Sequence, residues 1–92
     1  MLLVRHSSAY KKSFKKLSKS GKFPREELES IITKIQNSEV LELKYQDHYL
    51  SGPLSDCREC HIKSDLLLVY KIENNNLVLL LVNLGSHSDL FD

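Results

Sequence analysis

Leu66-Leu67-Leu68-Val69-Tyr70-Lys71-Ile72-Glu73-Asn74-Asn75-Asn76-Leu77-Val78-Leu79-Leu80-Leu81-Val82 is a pair of apolar runs hinged on a polar stretch. Each run is continuous rather than alternating and is bounded by turn residues, which predicts two buried strands. Glu73-Asn74-Asn75-Asn76 has the composition of a hairpin turn, Ser64-Asp65 opens the first run, and Gly85 closes the second. A further strand is expected over Cys57–Ile62. The polar stretch 39–56, with Gly52-Pro53 marking a turn, reads as a loop with room for one short extended piece.

Upstream the period changes. Leu2-Leu3-Val4 reads as a short first strand. Ser7 or Ser8 caps a helix running to about Lys19, on which Tyr10, Phe14 and Leu17 form one apolar stripe. Ser20-Gly21 supplies the stop. Pro24 suits the first turn of a second helix, Glu26 and Glu27 suit its positive end, and Leu28, Ile31, Ile32 and Ile35 repeat at helical spacing as far as Asn37-Ser38. The order strand, helix, helix, three strands, then a short turn at 86–92 predicts an α+β domain over 1–92. Its two N-terminal helices would pack on a mostly antiparallel, four-stranded sheet.

With 92 residues, 41% hydrophobic and 27% charged, the chain is long enough for one core and too apolar for a disordered segment. No apolar run approaches the roughly 20 residues of a bilayer-spanning helix. No signal peptide is read, because Arg5 and His6 follow Leu2-Leu3-Val4 at once. The expectation is a cytoplasmic protein without a membrane partner. The net charge of +1 hides an asymmetry: up to Arg25 there are eight cations and no acid, whereas residues 41–92 sum to −4. A basic N-terminal segment suits a polyanion, with Lys11, Lys12 and Lys15 as candidate RNA contacts; a solvated helix face is the plainer reading.

Cys57-Arg58-Glu59-Cys60-His61 has the spacing of a covalent haem site. On a strand its two cysteines point to opposite faces, and Met1 is the only methionine, so no haem is expected. Two cysteines and scattered histidines are also a thin donor set for zinc, so neither metal nor cofactor is expected. The four histidines, His6, His48, His61 and His87, permit another chemistry. Imidazole both takes and gives protons near neutrality. RNA cleavage by internal transfer needs a base for the 2′-hydroxyl, an acid for the departing 5′-oxygen and a cation for the phosphoryl oxygens. His61 and Asp65 stand four apart, close enough for the carboxylate to orient the imidazole.

Three blocks then carry a resemblance. They are Tyr45-Gln46-Asp47-His48-Tyr49-Leu50-Ser51-Gly52, Arg58-Glu59-Cys60-His61-Ile62-Lys63-Ser64-Asp65-Leu66-Leu67-Leu68-Val69-Tyr70, and Leu84-Gly85-Ser86-His87-Ser88-Asp89-Leu90-Phe91. In order and spacing they resemble the YafQ-type branch of the RelE/ParE toxin superfamily. The resemblance implies a bacterial type II toxin on a small microbial ribonuclease-like α+β fold. It implies an endoribonuclease cutting mRNA, typically in the ribosomal A site, silenced by a cognate antitoxin protein. His48, His61, Asp65 and His87 match the family's acid/base cluster, and Phe91 matches a terminal aromatic linked to activity. Arg58 matches an arginine suited to phosphate contact or structural support, with Lys63 or Lys44 as a second cation to share the charge. His48 or His61 would be the base and His87 the acid, supported by Asp65. Some relatives have tryptophan where this chain has Leu66, which removes one stacking surface for a base. The alternative reading is a non-catalytic RNA- or antitoxin-binding module on the same scaffold. A gyrase-directed toxin of the same superfamily would need no histidine cluster.

Overall fold

The first helix begins where a hydroxyl can close it. Ser7 is extended (φ −70°, ψ 163°) and its Oγ accepts from the Tyr10 amide at 3.0 Å, satisfying one of the N–H groups a helix start leaves free. The same Oγ donates to the carbonyl of Val82, tying the helix start to a central strand. The computed structural model describes residues 1–21, 23–63 and 65–91; Lys22, Ser64 and Asp92, which the sequence puts in the basic stretch, a turn and the tail, lie outside the described residues.

Helix α1 spans Ser8–Ser18 and α2 spans Arg25–Gln36, with Pro24 at the cap position just before it. The strands are β1 (Leu3–His6), β2 (His48–Tyr49), β3 (Arg58–Lys63), β4 (Leu66–Glu73) and β5 (Val78–Gly85), and a last turn of helix, α3, covers His87–Phe91. The sheet order is β1-β5-β4-β3-β2, with β1 parallel to β5 and the other pairs antiparallel. The sheet thus has five strands rather than four. His48 and Tyr49 pair with Glu59 and Arg58, a two-residue ladder too short to leave a period in the sequence. The second run also continues past Val82, and Gly85 ends β5 paired with Leu67.

Two irregularities re-aim side chains. Val69 opposes Asn83 while Tyr70 opposes Leu81, so Val82 is an extra residue in β5. His61 opposes Leu67 while Lys63 opposes Leu66, so Ile62 is extra in β3.

One face of the sheet carries the core. Tyr10 of α1 and Leu28, Ile31 and Ile35 of α2 pack with Cys60, Ile62, Leu68, Tyr70, Leu79, Leu81 and Leu84. Leu2 joins them through a backbone bond to the Gln36 carbonyl at 3.0 Å, and the Gln36 side-chain Nε2 donates in return to the Leu2 carbonyl at 2.8 Å. Cys60 is fully buried, which pushes its thiol up to about 12, and both cysteines are free. No helix among the described residues is long and apolar enough to cross a membrane.

Candidate active site

Alternation along β3 divides the motif residues between the two faces of the sheet. Arg58, Cys60 and Ile62 point to the helix side, and Glu59 and His61 to the other. The guanidinium of Arg58 pairs with Asp47 and stacks on the rings of Tyr49 (5.0 Å) and Tyr70 (5.8 Å). The Tyr70 hydroxyl donates to Asp47 at 2.5 Å, and burial, reinforced by that bond, pushes its pKa upward. Arg58 thus has its partners within the fold itself. It is a partnered cation on the face opposite His61.

On the other face the sequence reading missed the central residue. Glu59 is 3% exposed. Its Oε1 lies 3.6 Å from Nε2 of His61 and 4.0 Å from Nε2 of His48. His48 arrives there because β2 pairs it directly with Glu59. Its Nδ1 lies 2.5 Å from the carbonyl oxygen of Gln46, which is in the left-handed conformation (φ 50°). A carbonyl only accepts, so Nδ1 carries a hydrogen, and Nε2 is the ring nitrogen turned toward Glu59. The sequence signal was a carboxylate two residues before a strand histidine, which places both on one face.

The other predicted residues form a second group. The His87 amide donates to Asp65 Oδ1 at 3.3 Å, and its ring lies 5.1 Å from the ring of Phe91. Ser86 and Asp89 cap α3 reciprocally: the Ser86 amide donates to Asp89 Oδ2 and the Asp89 amide to Ser86 Oγ, both at 3.1 Å. The Ser86 amide, and after it the Ser86 hydroxyl, hold the Asp89 carboxyl below its usual range. Gly85, just before His87, pairs with Leu67, and Leu67 pairs with His61. The two groups therefore share one end of the sheet, separated by two strand spacings of about 4.8 Å each.

Lys63 belongs to neither group. With Ile62 as an extra residue the alternation breaks, and the Lys63 ammonium meets Glu27 of α2 at 3.2 Å. Lys11, Lys12 and Lys15 are exposed on α1, which packs along β5 through Tyr10 on the helix side.

The small α+β sheet with helices on one face is the fold of a toxin of the type II toxin–antitoxin class, as the family it matches shows. Residues 2–92 match the family described as the bacterial toxin of a type II toxin–antitoxin system, YafQ, and the chain belongs to that family. A metal-bound toxin from Helicobacter pylori is 44% identical, with a TM-score of 0.92 over 99% of this chain and 100% of its own. YafQ from E. coli strain BL21(DE3) is 25% identical, with a TM-score of 0.88 and full coverage of both chains. The chain is likewise similar to E. coli YafQ solved in the DinJ-YafQ complex, 26% identical with a TM-score of 0.84 and full coverage of both chains. No curated protein sequence matches the chain significantly. Among the described residues no group of three or more His, Cys, Asp or Glu side chains stands together as a metal site.

Proposed function

We propose that this toxin is an endoribonuclease that cleaves mRNA, on the translating ribosome in the cytoplasm, by metal-free acid/base catalysis through the RNA 2′-hydroxyl. The observation that carries the reading is the buried Glu59 oxygen facing two imidazole Nε2 atoms at 3.6 and 4.0 Å. A hydroxyl delivered between His48 and Glu59 loses its proton to the Nε2 lone pair. The imidazolium so formed has the Glu59 carboxylate beside the same Nε2 and the Gln46 carbonyl behind Nδ1, and His61 faces the same carboxylate oxygen. The 2′-oxygen attacks phosphorus, and His87, across the sheet end, gives a proton to the departing 5′-oxygen. Asp65 fixes the backbone of His87, and Phe91 backs its ring. The products are a 2′,3′-cyclic phosphate and a free 5′-hydroxyl.

The exposed Lys11, Lys12 and Lys15 lie on the far side of the sheet from Glu59. They serve neighbouring or ribosomal RNA rather than the scissile phosphate. The partner of regulation is a cognate antitoxin, as DinJ is for E. coli YafQ. Primer extension on a translated message tests the reading. New 3′ ends are expected with the parent protein, and none above background with His61→Ala or His87→Ala at unchanged fold. Full cleavage by both variants would overturn the mechanism. A folded parent that binds RNA and leaves messages intact would be the non-catalytic module instead.

A further inference from the structure

The Glu27–Lys63 pair stands where two clefts meet. A cleft of about 830 Å³ is lined by Arg25, Glu26, Glu27, Lys63, Asp65 and Ser86 among others, and so reaches the residues that hold the His87 backbone. A second, of about 320 Å³, is lined by Glu27, Lys44, Gln46, His61 and Lys63. Glu27 and Lys63 are the residues common to both walls. An RNA strand that runs from the cleft beside His61 into the cleft beside Asp65 and Ser86 crosses them.

In the free protein that crossing is unfriendly to phosphate. Among the described residues, Glu26, Glu27, Asp65 and Asp89 outnumber Arg25 and Lys63 around the larger cleft, and the Lys63 ammonium at the boundary is neutralised by Glu27 at 3.2 Å. The pair is also weakly held. Its side chains are 62% and 47% exposed, and solvated ion pairs of this kind contribute little to stability. A phosphodiester offers Lys63 the same charge as the carboxylate and releases counterions on binding.

We infer that Glu27 is a displaceable stand-in for an RNA phosphate: it holds Lys63 between the two clefts and yields it when the backbone of the substrate crosses. Glu27 is then a positioning residue that lowers affinity for RNA outside the productive crossing. The inference rests on the RNA reading of the site and not on cleavage.

Binding of a 2′-O-methyl RNA oligonucleotide, which cannot be cut by internal transfer, is read by fluorescence anisotropy across a KCl series. Glu27→Gln is expected to bind roughly three- to fivefold tighter than the parent, with the slope of log K against log salt steeper by about 0.7, one additional phosphate contact. Glu26→Gln removes the same charge from the same helical turn without freeing Lys63 and should stay within about twofold of the parent. In a Lys63→Gln background the Glu27→Gln gain should vanish. Equal gains from Glu26→Gln and Glu27→Gln, a gain that survives loss of Lys63, or no gain at all would each overturn the inference. A message left intact by the parent, with the binding pattern as expected, would sink the nuclease reading alone.

Discussion

Glu59 Oε1 lies 3.6 Å from His61 Nε2, with the carboxylate side chain 5% exposed and the imidazole 31% exposed. On the sheet face without helices this buried carboxylate faces His61 and His48. Glu59→Gln keeps the shape and removes the charge. Message cleavage is expected to fall by about 10²-fold or more, since the imidazolium formed at proton transfer loses its counter-charge. Circular dichroism and antitoxin binding should be unchanged. Parent-level cleavage by the Gln variant would mean that Glu59 is only part of the packing.

Asp65 acts on His87 through the backbone, by accepting its amide at 3.3 Å, and not through the ring. Asp65→Ala should therefore cost less than His87→Ala. A loss of about tenfold is expected against about 10²–10⁴-fold for a positioned general acid. The measurement is the yield of cleaved message at equal toxin concentration. Equal losses would argue that the carboxylate meets the substrate directly.

Arg58 tells the opposite story from its sequence neighbours. Its guanidinium is partnered by Asp47 and flanked by two tyrosine rings. Arg58→Ala should lower unfolding free energy by about 1–3 kcal/mol, the range for losing hydrogen bonds to a charged group. In a domain of this size each kcal/mol corresponds to about 4–8 °C in Tm. Arg58→Lys should rescue little, because an ammonium neither stacks on both rings nor spans the carboxylate. A variant with parent Tm and weakened RNA binding would give Arg58 the phosphate-contact role instead.

The helices and the β4–β5 hairpin were legible because their signals are local. Tyr10, Phe14 and Leu17 repeat on one helix face, and the hairpin runs are apolar from end to end. Strand β2 was not, because His48 and Tyr49 are a strand only by virtue of Glu59 and Arg58 opposite them. The same holds for the site. Resemblance picked out His48, His61 and His87, but a glutamate on a strand ordinarily faces water, so nothing local marked Glu59 as buried. Lys63 and Glu27 lie 36 positions apart and meet only because Ile62 is extra in β3. Bulges are decided by the partner strand, and the sequence of one strand does not announce them.

The cap of α3 gives a prediction with a definite sign in pH. The amide and hydroxyl of Ser86 hold the Asp89 carboxyl below its usual range. A carboxyl depressed in the folded state contributes stability above its unfolded pKa of about 3.9, and the contribution fades as pH falls through the lower folded value. A methyl at Gly85 would stand 3.1 Å from Asp89 Cβ and 3.2 Å from the Oδ2 that accepts from Ser86, so Gly85→Ala pushes the carboxylate off its donors. In that variant Asp89 should titrate closer to the ordinary carboxylate range, as read from its side-chain carbonyl carbon by NMR. The Leu90 amide, bonded to the Ser86 carbonyl at 3.1 Å, should exchange faster. The global Tm should barely move, because α3 buries no residue fully, yet cleavage should drop as His87 and Phe91 lose their fixed start. An unchanged Asp89 titration together with unchanged cleavage would mean that the cap does not position His87.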